Sequence, residues 1–148
     1  MMDVRQRLDR VEPDYREAAT LGQEAIPHLE QLVNDPALGP SAVCLASFIG
    51  GNQATALLLA ATSHPSYAIR FQAASGARNL DAQHAVETLL AAMDDIDPGV
   101  RRAAIRSVEV LKRSSTIPDM VMMKVSSVSA SDSDQRTREA ARELLGAP

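Results

Sequence analysis

The chain has 148 residues, enough for one domain, with 19 acidic and 15 basic residues and a formal net charge of −4. That balance argues against a bulk nucleic-acid binder, which needs an excess of Lys and Arg to displace phosphate counterions. Apolar residues make up 45%, too many for a disordered chain, and with two Phe, two Tyr and no Trp the core must come from Ala, Leu, Val, Ile and Met, which suits closely packed helices.

Residues 1–23 read as a degenerate N-terminal helical cap, with Val4, Leu8 and Val11 at helical spacing and Tyr15 to Ala19 looking like the start of a truncated second helix. From residue 24 the chain repeats, each unit being two helices joined by a turn. The turns are Asn34-Asp35-Pro36, Ser63-His64-Pro65 and Ile96-Asp97-Pro98. In the helices that follow them, Leu38, Ile69 and Val100 fall in one column, 31 residues apart. The same register aligns Ala42, Ala73 and Ala104, then Ala46, Ala77 and Val108, then Ile49, Leu80 and Leu111, which is one stripe of an α-helix.

The first helices align as well, at Ala25 to Val33, Ala54 to Thr62 and Ala85 to Met93. Pro27 falls in a first helical turn, where a missing N–H costs little, and Asp81 is placed to N-cap the third pair. Gly50 and Gly51 separate two units, as Gly does at helix C-termini. The units span residues 24–50, 51–80 and 81–111. Residues 112–119 are expected to form an inserted surface loop, polar and carrying Pro118. A C-terminal capping unit, 120–148, repeats Thr137, Ala141 and Leu145 in the same columns.

The run Asp97-Pro98-Gly99-Val100-Arg101-Arg102-Ala103-Ala104 resembles the turn and second helix of a HEAT repeat, in the short bacterial form of phycobilin-lyase-type repeats. Glu24 to Leu29 is similar to that family's first helix, and the likeness covers about residues 24–146. It departs at Gly39, where Arg is expected, and at Ser133, which replaces the turn Pro. The resemblance implies an all-α solenoid of about four antiparallel helix pairs stacked into a right-handed superhelix, since no pair buries its apolar stripe alone. It also implies a structural ladder of turn Asp and second-helix Arg residues. Asp97 with Arg101 and Asp132 with Arg138 could form it, with Arg70 in the same Arg column.

Catalysis finds little support, and neither a metal site nor a cofactor is expected. His28, His64 and His84 have no metal-ligand spacing, no His is placed beside Cys44, and Gly39 and Gly50-Gly51 lack the pattern of a phosphate loop. Asp94-Asp95-Ile96-Asp97 lacks the Gly and Glu of a calcium loop and reads as a solvated turn. The longest uncharged apolar stretch, Ala54 to Ala61, is far below the ~20 residues that span a bilayer. The charged N-terminus is no secretory signal, and a single Cys suits the cytoplasm.

The informative feature is an absence. Between Pro36 and Leu80 the only charged side chains are Arg70 and Arg78, whereas the third unit carries Arg101, Arg102, Arg106 and Glu109. Phe71 aligns with Arg102, a position expected to be exposed, and depletion of charge beside an aromatic is how an interface core reads. The expected function is therefore a non-enzymatic protein-interaction scaffold, with Leu45, Phe48, Tyr67 and Phe71 as candidate contacts. Its partner would be another protein, or a second copy through the same patch. Two other readings stand beside it: a bilin-lyase-like enzyme or subunit, implied by the resemblance, and a nucleic-acid binder working through the Arg column.

Overall fold

The computed structural model describes residues 4–5 and 19–146; the expected N-terminal cap lies outside them except for Val4, Arg5 and residues 19–23. Among described residues 19–146, eight α-helices form antiparallel pairs: α1 (Ile26–Leu32) with α2 (Gly39–Ile49), α3 (Gly51–Ala61) with α4 (Tyr67–Gly76), α5 (Ala82–Met93) with α6 (Pro98–Lys112), and α7 (Asp119–Ser131) with α8 (Gln135–Leu144). No strand occurs among the described residues. The first helices pack in the order α1, α3, α5, α7 and the second helices in the order α2, α4, α6, α8, which gives two layers.

The core lies between these layers and repeats with the units. Ala42, Ala73, Ala104 and Ala141 are all fully buried, so the second helices approach through a line of methyl groups. Leu29, Leu58, Leu89 and Val125 fill the first-helix side. Buried hydroxyls tie neighbouring units: Ser107 Oγ donates to the Ala74 carbonyl at 2.6 Å, and Asn79 Nδ2 donates to Ser47 Oγ at 2.9 Å.

Local sequence sets the helix ends. Asp81 Oδ1 accepts the His84 N–H at 2.9 Å and caps α5, as its sequence position suggests. Gly50 takes φ +70°, a conformation that costs a side-chain-bearing residue, and lets α2 end and α3 begin within one residue. Gly39 is held by space instead, because a Cβ there would lie 2.3 Å from the Val33 carbonyl oxygen. The inserted loop is only partly at the surface: residues 113–116 are exposed, but Ile117 turns inward and joins the core.

Candidate protein-interaction face

The outward side of the second-helix layer changes character along the stack. Tyr67 is 47% exposed and Phe48 36%, both in the first two units. Phe71 is half-buried rather than exposed, packed against the core with its ring centroid 5.9 Å from that of Tyr67 and the planes tilted by 31°. Tyr67 reaches over the start of α6, where a Cβ on Gly99 would sit 2.4 Å from its hydroxyl oxygen. Leu45 drops out of the candidate contacts because it is fully buried, on the side of α2 that faces the core. Cys44 lies half-buried in the same region, and burial pushes its thiol up to about 11, leaving it protonated and unreactive near neutral pH.

Charge is withdrawn from this face by the ladder. Arg70 Nε bonds Asp95 Oδ2 at 3.0 Å and its Nη2 bonds Asp97 Oδ2 at 2.5 Å, which leaves its side chain 12% exposed. Arg78 turns its Nε to the Ser75 carbonyl at 2.9 Å. The third unit is different: Arg102 pairs with Asp134 at 2.8 Å, while Arg106 and Glu109 are exposed.

The ladder runs along the stack, from unit to unit. Asp97 pairs with Arg70 of the preceding unit, and Arg101 with Asp132 of the following one. Arg138 does not reach the Asp132 carboxylate and instead donates to its backbone carbonyl at 2.6 Å. Asp95, taken from the sequence as part of a solvated turn, is a ladder residue with only 5% of its side chain exposed. A signal was present, since Asp95 and Asp132 each stand two residues before the N-terminal boundary residues of α6 and α8, Asp97 and Asp134.

Three turn and capping carboxylates are held below their ordinary value. Bonds from the Thr137 hydroxyl and N–H hold Asp134 below the ordinary carboxylate value, with Arg102 adding to the effect. Asp35 is lowered chiefly by the N–H groups of Ala37 and Leu38, and Asp81 by the N–H and ring of His84. At the first seam Gly39 and His64 replace the ladder pair. His64 Nδ1 accepts the Ser66 N–H at 3.0 Å, so Nε2 carries the proton given to Asn34 Oδ1 at 2.8 Å.

Among the described residues, no group of three or more His, Cys, Asp or Glu side chains is placed to hold a metal ion, and no helix is long and apolar enough to cross a membrane. The family model described as HEAT repeats matches residues 54–146. A search of curated proteins finds no match. Among solved structures, the chain is similar to one from the complex of CpcE and CpcF of phycocyanin lyase from Nostoc sp., with TM-score 0.68 and 22% identity over 87% of each chain. At that identity the likeness speaks to the fold.

Proposed function

This chain belongs to the HEAT-repeat family, and from that premise we propose that it is a non-enzymatic protein-interaction scaffold whose contact face is the uncharged side of α2 and α4. One observation carries the reading. The first two units expose Tyr67 and Phe48 while Arg70, one of two charged residues between Pro36 and Leu80, is folded into the ladder. An aromatic patch without charge loses little solvation when covered, whereas the Arg and Glu side chains of the third unit fit a solvated rim. Hydrogen bonds across the first seam, Asn79 to Ser47 and His64 to Asn34, tie the first two helix pairs together, so the face is presented already ordered and little entropy is lost on binding. The lone Cys44 suits a reducing compartment, and the proposal places the chain in the cytoplasm.

Capture from the source cell's lysate tests this, with wild type beside Tyr67→Arg and, as a control on the far end of the layer, Arg113→Glu. A protein retained by wild type and Arg113→Glu but lost by Tyr67→Arg is the expected result. Equal capture by all three sinks the assignment of this face. If Tyr67→Arg changes only the sedimentation of the chain itself, the partner is a second copy.

The likeness to a phycocyanin lyase complex favours a second reading, a part in handling a bilin. A shifted absorbance spectrum after incubation with a bilin supports that reading, and an unchanged one removes it. The Arg column lends little to nucleic-acid binding, because two of its three members, Arg70 and Arg101, are already paired with carboxylates.

A further inference from the structure

We infer that the groove between α1 and α3 is a binding site for a small free amine, one that carries a primary ammonium on an apolar group. It lies in the first-helix layer, apart from the aromatic face of α2 and α4.

The groove is open because of what stands at this seam. Leu29, Leu58, Leu89 and Val125 share one column of the first helices. At the last seam Lys124, the residue before Val125, pairs with Asp94, five residues after Leu89, and so bridges α5 and α7. At the first seam the same two positions hold Leu57 and Asn34, which cannot form an ion pair. The space between α1 and α3 is left unbridged, with a volume of about 260 Å³. The middle seam differs again, because the opening beside Ser63 is lined by Arg70, Asp94 and Asp95 and is polar.

The lining of the first groove is apolar with one charge. Buried Leu57 and Ala61 and half-buried Val33 form the floor, while Ala56 and Ala60 on the α3 wall are exposed and too short to fill the space. His64 closes one end. Its Nε2–H donates to Asn34 Oδ1 at 2.8 Å and its Nδ1 accepts the Ser66 N–H at 3.0 Å, so the ring is neutral. Glu30, on the α1 wall, is exposed and has neither a hydrogen bond nor an ion pair among the described residues. A cation is therefore attracted and an anion repelled, and only a ligand with a hydrocarbon part covers the floor. Size favours a free ligand over a side chain of another protein. A cavity of about 150 Å³ takes benzene, so one of about 260 Å³ suits about ten non-hydrogen atoms. A lysine side chain, four methylenes and an ammonium, would leave about half of it unfilled.

The test titrates the full isotope-labelled chain with 2-phenylethylamine near neutral pH and follows methyl signals by NMR. Those of Val33, Ala56, Leu57 and Ala60 should move saturably while those of Val121, Val125 and Val128 in α7 stay. 2-Phenylethanol has the same shape without the charge and should bind about fivefold more weakly, the scale of an exposed ion pair, and phenylacetate more weakly still. Glu30→Gln should weaken the amine about fivefold and leave the alcohol unchanged. Glu87→Gln, which removes an exposed carboxylate from α5, should change neither. Ala60→Leu, a substitution at an exposed helix position, should fill the groove and abolish binding of both. Tyr67→Arg should bind the amine as wild type does, which separates this site from the aromatic face. The inference is overturned if the groove methyls do not move, if alcohol and amine bind equally, or if Ala60→Leu still binds. Tighter binding of Nα-acetyl-lysine methylamide than of 2-phenylethylamine would also overturn it, marking a seat for a lysine side chain of another protein.

Discussion

Arg101 grips Asp132 with two parallel bonds, Nε to Oδ2 and Nη2 to Oδ1, each 2.9 Å long, across the seam between the third and fourth helix pairs. Both side chains are nearly buried, at 11% and 7% exposure. Asp132 Oδ1 also accepts the Asp134 N–H at 2.9 Å, so one carboxylate joins the seam to the turn that begins α8.

Removing one partner of such a pair leaves the other charge uncompensated. Arg101→Ala should cost about 3 kcal/mol of stability in urea denaturation. Replacing both partners, as Arg101→Met with Asp132→Leu, should recover part of that loss, since neither charge is then stranded. A double variant weaker than the single one would show that the pair does not act as a unit.

Thr88 is buried in α5 and its hydroxyl has no hydrogen-bond partner. Thr88→Val keeps the shape and removes the unsatisfied group, so it should raise stability by up to about 1 kcal/mol. A lowered Tm for this variant would contradict the account of that site.

The acid response follows from Asp35, Asp81 and Asp134, all held below the ordinary value of 3.8. A depressed carboxylate contributes stability that is present above the unfolded value and is lost as pH falls through the folded one. Tm should therefore be level above pH 3.8 as far as these groups contribute, and fall below it. Asp81→Asn, which keeps a capping oxygen but cannot ionise, should show a shallower fall over the same range. An identical pH profile would remove Asp81 from the acid response.

The Cys44 thiol, pushed up to about 11 by burial, should resist alkylation at neutral pH in the folded chain and react readily once the chain is unfolded in urea. Equal rates in the two states, followed by mass spectrometry, would mean that burial does not protect it.

Much of the fold was legible because the units repeat. A column read at Ala42 is read again at Ala73, Ala104 and Ala141, and all four are buried. Periodicity gives columns but not which neighbours touch across a seam. The columns therefore do not show that Asp97 meets Arg70 of the preceding unit, or that Asp95 joins it there. Leu45 illustrates a missed clue: its column holds Gly76, Ser107 and Leu144, and every one is buried. Phe71 shares a position with the half-buried Arg102, but its ring lies down beside Tyr67, a contact that alignment of columns does not show.

The most direct test of the scaffold account is hydrogen exchange on the full chain, alone and saturated with a captured partner. The account expects added protection in α2 and α4, around Cys44 to Ile49 and Tyr67 to Ser75, with α3 and α5 unchanged. Protection confined to the first-helix layer, or to none of the chain, would contradict it.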